Sequence, residues 1–275
     1  MTLSELRKNL TRQLSPHTAT PQLEVDLLFM HVLKKSRTQL YRMLNETIPL
    51  SQQQACYALC QQRIQGKPIA YLTHSQSFWT MDLFVNEDTL IPRPETECLV
   101  EWILHHIPNQ DHLQIADLGT GSGAIAIALA MERKSWKIEA TDFSAEALAI
   151  AKKNADKYGA KNIAFYLGDW CDALPKNAYD VIVSNPPYIA ENDPHLKQLQ
   201  FEPQEALTSG KEGLDAIQKI ISQSLTFLKP NGYLIIEHGY DQAEKVITLF
   251  ERAGLKKVSN HRDLSDVPRF VTGRL

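Results

Sequence analysis

Cysteine is scarce in this chain, and the four present, Cys56, Cys60, Cys98 and Cys171, include no C-x-x-C pair. Cys56 and Cys60 stand one helical turn apart, a spacing that suits core packing better than a shared metal. The nine histidines are scattered, and the adjacent pair His105-His106 points to different parts of a helix surface. No metal centre is expected. No run approaches the roughly 18 apolar residues that a membrane-crossing helix needs. The first fifteen residues carry Glu5, Arg7, Lys8 and Arg12 on an amphipathic pattern, not the apolar core of a leader peptide. Repeats and low-complexity tracts are also missing. With 43% hydrophobic and 22% charged residues over 275 positions, these absences fit a cytoplasmic globular chain. Its length allows one large core plus a small second domain.

Net charge is low as well, at −3, but it is unevenly shared. Residues 1–82 carry nine Lys+Arg against five Asp+Glu, net +4, which leaves −7 to the rest. An acidic larger half argues against duplex DNA as a ligand, since phosphate contacts need dense Lys/Arg. The basic part suits an acidic partner, although a solvated helical surface would explain its charge equally well.

The most informative segment is Asn185-Pro186-Pro187-Tyr188. It follows the apolar run Tyr179 to Ser184, which reads as a buried strand ending in a stiff turn. Each proline fixes φ and lacks an N–H, and the residue before a proline is held extended. The Asn185 amide and the Pro186 carbonyl can then face a common point, with the Tyr188 ring beside it. That set suits an incoming planar NH2 group: acceptors for two hydrogens and a face to stack on. A proline-stiffened strand exit would explain Pro-Pro alone, but not the flanking Asn and Tyr.

Upstream, Leu113 to Leu118 reads as another buried strand. It leads into Gly119-Thr120-Gly121-Ser122-Gly123 and an alanine-rich helix from Ala124. Glycines there permit positive φ and close backbone approach, and the helix start offers free N–H groups. Lys137 to Thr141 forms a further strand ending in Asp142. That acid lies 19 residues past Gly123, where doubly wound folds place a carboxylate on ribose hydroxyls. These residues also fit a dinucleotide fingerprint, so NAD stays open on them alone. The 185–188 turn, which a dehydrogenase does not need, favours S-adenosylmethionine. Asp169 and Trp170, after the strand Asn162 to Tyr166, are placed to meet an adenine, although a structural tryptophan would explain Trp170 equally well on chemistry alone.

At this point the chain resembles the HemK/PrmC family, which methylates the side-chain nitrogen of the glutamine in the Gly-Gly-Gln tripeptide of peptide chain release factors. Leu90-Ile91-Pro92-Arg93-Pro94-Glu95-Thr96-Glu97 is similar to that family's entry into its catalytic domain, and Asp117 to Gly123 to its methionine-binding loop. Phe201-Glu202-Pro203, Gly210, Gly213-Leu214, Arg262-Asp263-Leu264 and Arg269 to Leu275 extend the likeness. His74 departs from it, standing where the family has glycine before its Phe-Trp pair, and Ser265-Asp266 replace a Gly-bearing turn.

The resemblance implies an α/β fold: a doubly wound, Rossmann-like S-adenosylmethionine-dependent methyltransferase domain on a mostly parallel seven-stranded sheet, with a small N-terminal helical domain. It assigns cofactor contact to Gly119, Thr120, Gly121, Ser122, Gly123, Asp142, Trp170 and Asn185. Substrate contact falls on Asn185, Pro186, Pro187 and Tyr188, with Asn185, Pro186 and Tyr188 as the catalytic set. The implied partners are class 1 release factors, met by a monomer without direct nucleic acid or membrane.

The domains are expected at 1–85 and 86–275. In the first, Leu3, Leu6, Leu10 and Leu14 keep helical spacing, and Thr20-Pro21 opens a helix through Leu33. Ser51-x-x-Gln54 reads as a capping box, with Gly66 as the helix stop. Ile69 to Val85 reads as a hairpin whose Phe78, Trp79 and Phe84 pack between domains. Two other functions remain open: methylation of an exocyclic amine in DNA or RNA, and non-catalytic cofactor binding.

Overall fold

Leu3, Leu6, Leu10 and Leu14 form one stripe of α1 (Leu3–Leu14), and all four are fully buried. They pack with Val25, Leu28 and Phe29 of α2 (Pro21–Leu33), Leu40 of α3 (Arg37–Arg42), and Cys56 and Cys60 of α4 (Leu50–Ile64). Burial pushes the Cys56 and Cys60 thiols up, to about 12 and about 11. Both therefore act as small apolar side chains. Thr20 and Pro21 open α2 as the spacing predicts. Ser51 does not cap α4: Pro49 holds the N-cap position and the helix has begun by Leu50. Capping boxes form instead at Thr2–Glu5 and Ser36–Gln39. Fully buried Asp26 meets Arg7 at 2.6 Å and accepts from the Tyr41 hydroxyl at 3.0 Å. Arg7 thus belongs to this interior and is not free surface charge.

The computed structural model describes residues 1–175 and 178–275. It divides into the units Met1–Ser75 and Gln76–Leu275. The first ends ahead of the hairpin, not behind it at 85. Ile69–Thr73 is a short helix, α5, and only Gln76–Phe78 (β1) and Met81–Leu83 (β2) pair. Phe78, Met81 and Leu83 join the second unit's core. Phe84 lies under the Lys153 ammonium at 3.3 Å, and the Trp79 indole donates to Glu132 at 2.9 Å. These aromatics are committed inside the second unit.

That unit is built on β3 (Gln114–Leu118), β4 (Lys137–Asp142), β5 (Ile163–Leu167), β6 (Tyr179–Ser184), β7 (Leu228–Glu237), β8 (Lys256–Arg262) and β9 (Pro268–Arg274). They form one seven-stranded sheet, order β5-β4-β3-β6-β7-β9-β8, parallel except for β9. Successive residues of the central strands serve opposite faces. Ile115, Val181, Val183 and Ile235 pack on the side of α6 (Glu97–His106) and α7 (Ala124–Glu132). Ala116, Leu118, Ile182 and Leu234 pack on that of α9 (Asp215–Ser224) and α10 (Ala243–Arg252). Both faces are covered, which explains the unbroken apolar runs. After β3 the chain builds outward through β4, α8 (Ala145–Tyr158) and β5, then returns to place β6 on the other side of β3. A crevice opens at the strands' carboxyl ends where the order reverses. Among the described residues no helix is long and apolar enough to cross a membrane.

His74 and Asp266 occupy left-handed backbone, φ 53 and 61. Both departures from the family's glycines therefore fall where an L side chain is strained. Asp266→Gly is expected to raise stability by up to about 1 kcal/mol. Urea denaturation checks it; a lower midpoint would mean that the side chain contributes more than its backbone costs.

Candidate active site

Four strand ends bring the expected residues together. After β3, the Gly119 and Thr120 N–H groups both donate to the Thr141 carbonyl at 2.9 Å. Buried Asp117 holds the loop from beneath: its Oδ2 accepts from the Thr120 hydroxyl at 2.7 Å and the Ala126 N–H at 3.2 Å. Burial lifts this carboxyl to about 7 despite those bonds. Gly119 has φ 70, and a Cβ there would lie 2.8 Å from the Trp170 ring. At Gly123, φ 84, a Cβ would lie 2.7 Å from Ile127. Both glycines are required by close approach. Asp142, ending β4, accepts from the Gly121 N–H at 2.8 Å and the Ser144 N–H at 3.0 Å. Burial raises its pKa and these donors oppose the shift.

A cavity of about 690 Å³ lies over these ends, bordered by Gly119, Gly121, Asp142, Trp170, Asn185 and Pro187. Thr120, Ser122 and Gly123 are not on its wall. The Thr120 hydroxyl is spent on Asp117, Ser122 is buried with its carbonyl accepting from Asn154, and Gly123 abuts α7. Their part is to shape the loop. Glu87, Asp88, Thr89, Leu90, Pro203, Glu205 and Ala206 also border it, of which only Leu90 and Pro203 fall in the segments that carry the family likeness. Glu202 ties these two stretches of chain together, accepting from the Ile91 N–H at 3.0 Å and from Arg93 at 2.5 Å.

A second cavity, about 220 Å³, is lined by Arg93, Pro186, Tyr188, Ile189, Leu199 and Leu207, and shares Asn185 and Pro187 with the first. Asn185 donates from Nδ2 to the Thr96 hydroxyl at 3.1 Å, while its Oδ1 is buried without a partner. Such an orphan acceptor is costly, and it belongs to a residue that borders both cavities. Among the described residues nothing donates to the Pro186 carbonyl. Behind the turn, Gln242 donates to the Tyr188 carbonyl at 3.0 Å, and a Cβ on Gly213, φ 71, would lie 2.1 Å from that oxygen. The Tyr188 hydroxyl donates to Glu237 at 3.4 Å; burial and the Glu237 charge hold its pKa well above the usual range. Among the described residues no group of three His, Cys, Asp or Glu could hold a metal ion.

Residues 5–73 match the PrmC N-terminal domain and residues 100–255 the Methyltransferase small domain. Full-length relatives decide between the families that share this second domain. The release factor glutamine methyltransferase of Coxiella burnetii is 47% identical, over 100% of this chain and 99% of its own. The protein of the same name from Escherichia coli is 43% identical, over 93% and 92%. The chain belongs to the release factor glutamine methyltransferase family. Solved structures below 25% identity carry the fold alone. A methyltransferase from Pyrococcus furiosus aligns with TM-score 0.53 at 18% identity, over 78% of this chain and 96% of that one. The hMettl16 catalytic domain aligns at 0.55 and 18%, over 70% and 74%. The family resemblance and the mostly parallel seven-stranded methyltransferase fold expected from the sequence both hold.

Tyr188 tests how the family's turn is used here. Tyr188→Phe removes one long hydrogen bond and is expected to keep turnover within about tenfold of the parent. Tyr188→Ala, which also removes the ring, is expected to lose most of it. An inactive, folded Tyr188→Phe would transfer the role from the ring to the hydroxyl.

Proposed function

We propose that this chain methylates the side-chain amide nitrogen (N5) of the glutamine in the Gly-Gly-Gln motif of class 1 peptide chain release factors, using S-adenosyl-L-methionine. One observation carries the reading: Asn185, whose side-chain Oδ1 is buried and unpartnered, borders both cavities. A cofactor seat on one side and an acceptor seat on the other need such an oxygen between them. The larger cavity fits S-adenosylmethionine in size, in its glycine loop at a helix start, and in the acid at a ribose-reading position. Bound there, the cofactor supplies a methyl already activated on sulfonium for direct in-line transfer.

The remaining work falls to the chain. An amide nitrogen is a poor nucleophile because its lone pair is delocalised. Asn185 Oδ1 and the Pro186 carbonyl accept its two hydrogens and aim it, with the Tyr188 ring against its plane. Each bond contributes only about 1 kcal/mol net, whereas holding a near-attack pair is worth roughly 7–11 kcal/mol. Positioning dominates. The nitrogen gains the methyl as its bond to sulfur breaks and sheds one proton; among the described residues the one basic side chain lining the smaller cavity is Arg93, paired with Glu202, which does not make a basic groove to grip a flipped nucleotide.

Labelled cofactor offered with release factor, DNA and RNA side by side tests the proposal. Label is expected on one glutamine of the release factor; transfer to nucleic acid would favour the exocyclic-amine reading, and transfer to none a binding role.

We further propose that the basic first unit docks the body of the release factor. Of Arg7, Lys8, Lys34, Lys35 and Arg37, the two arginines are excluded because both face Asp26, at 2.6 and 3.8 Å, which leaves the exposed lysines Lys8, Lys34 and Lys35. Reversing these three is expected to raise KM for intact release factor severalfold with kcat kept, and added salt to do the same to the parent. Initial rates at two ionic strengths measure it. Unchanged KM would reduce the unit to a stabilising role. Removal of the unit is best made at Gln76, because a start near Thr89 would strip Phe78, Met81 and Leu83 from the catalytic core.

A further inference from the structure

Four residues border both cavities, Asn185, Pro187, Leu90 and Ala206, and they make up the partition between them. Its two halves are held differently. Asn185 and Pro187 follow β6, in the middle of the sheet, where the prolines fix the backbone and Gln242 holds the Tyr188 carbonyl at 3.0 Å. Leu90 and Ala206 stand in no strand or long helix. Leu90 lies in irregular chain after β2, and Ala206 ends a single tight turn, Gln204–Ala206. Loops are more mobile than the elements they connect, so this half needs a fastening that the sheet does not supply.

Glu202 is that fastening. It is buried at 7% exposure, with both carboxylate oxygens engaged. Oε2 accepts from the Ile91 N–H at 3.0 Å, in the peptide that follows Leu90, and Oε1 accepts from Arg93 at 2.5 Å. The Glu202 N–H in turn donates to the Leu199 carbonyl at 2.9 Å. Four residues on, the Ala206 N–H donates to the Pro203 carbonyl at 3.1 Å, and the Leu207 carbonyl accepts from Ile189, just past Tyr188, at 2.9 Å. The loop half is therefore a closed frame: Leu90 is tied to Glu202, Glu202 leads to Ala206, and Leu207 returns to the turn. Both partners of the carboxylate are donors, and a glutamine in its place would set an NH2 against one of them.

We propose that Glu202 is a positioning residue for the transfer: by pinning Leu90 and Ala206 it fixes the width of the partition across which the acceptor nitrogen meets the methyl. The inference rests on the reading of the two cavities as cofactor seat and acceptor seat. Glu202 itself borders neither cavity. Its effect is on separation. Reacting atoms must be held about 3–3.5 Å apart, and a misplacement of about 1 Å costs roughly 10²-fold in rate. The prolines prevent drift on one side of the partition, and Glu202 prevents it on the other. Ala206 suits this narrow place because its side chain is a single methyl group.

Two measurements on the full-length chain test this. In initial rates, Glu202→Gln is expected to lower kcat roughly 10- to 100-fold, with the KM for release factor and the calorimetric affinity for S-adenosylmethionine little changed. Ala206→Val, which narrows the partition and leaves both Glu202 bonds in place, is expected to show the same split. The second measurement needs no release factor: NMR of bound S-adenosylmethionine labelled in its methyl, whose signal is expected to move in both variants. If Glu202→Gln does not fold, Glu202→Asp takes its place, keeping the charge beside Arg93 but drawing the oxygens back by one methylene. A folded Glu202 variant with parental kcat and an unmoved methyl signal, only less stable to urea, overturns the proposal. A loss confined to KM overturns it too, since Glu202 would then serve the grip on the acceptor through Arg93. A methyl signal that moves as described in a chain that methylates no release factor would instead sink the proposed function and leave the partition standing.

Discussion

Asn185→Ala is expected to bind S-adenosylmethionine with most of the parent's affinity and to turn over roughly 10²–10³ times more slowly, the loss typical of removing one preorganised dipole from a reacting centre. The nitrogen passes from a neutral amide toward a cation as the new bond forms. An acceptor oxygen aimed at its hydrogens is therefore worth more in the transition state than in the ground state. The structure sharpens this expectation, since Oδ1 is buried and unpartnered before any substrate arrives. The fold already carries the desolvation cost of that oxygen, and the alanine variant should be as stable as the parent or more so. Single-turnover rates beside calorimetric titration separate the two effects. A variant that lost affinity and rate in proportion would make Asn185 a cofactor residue and not the seat of the acceptor.

The parts of this site that sequence made legible are those whose neighbours in space are also neighbours in the chain. The glycine loop, Asp142 and the 185–188 turn each sit at the end of an apolar strand, so their type and place could be read locally. What supports them could not. Thr96 meets Asn185 across 89 residues of chain, and Glu237 looks in sequence like any acid following Leu234 to Ile236. Gly213 has a reason only once the Tyr188 carbonyl is seen to lie where its side chain would be. Misreadings in the first unit came from short local signals. Ser51-x-x-Gln54 has the letters of a capping box, but Pro49 starts the helix early enough to enclose Ser51. Ile69 to Thr73 is a short apolar run, for which periodicity cannot separate helix from strand. The aromatics of the hairpin were read as packing between domains, whereas they pack within the second unit, on partners far along the chain, Glu132 for Trp79 and Lys153 for Phe84.

Asp142→Ala is expected to weaken S-adenosylmethionine binding by at least about 1.5–3 kcal/mol, the usual cost of a lost charge-assisted hydrogen bond. Sequence spacing suggested a direct contact with a ribose hydroxyl, and the structure adds a second route. Oδ2 anchors the Gly121 N–H and Oδ1 the N–H of Ser144, at the start of α8. The variant therefore frees the middle of the glycine loop as well as removing an acceptor from the cavity. Asp142→Asn should be nearly as harmful, because its NH2 would face a backbone N–H whichever way the amide turned. The two routes can be separated by titrating the parent and Asp142→Ala with S-adenosylmethionine and with an analogue lacking one ribose hydroxyl. If Asp142 reads the ribose, the parent discriminates against the analogue and the variant does not, so the two losses do not add. If it only holds the loop, the hydroxyl's contribution survives in the variant and the losses add. An Asp142→Ala enzyme with parental affinity for both ligands would remove the residue from the site altogether.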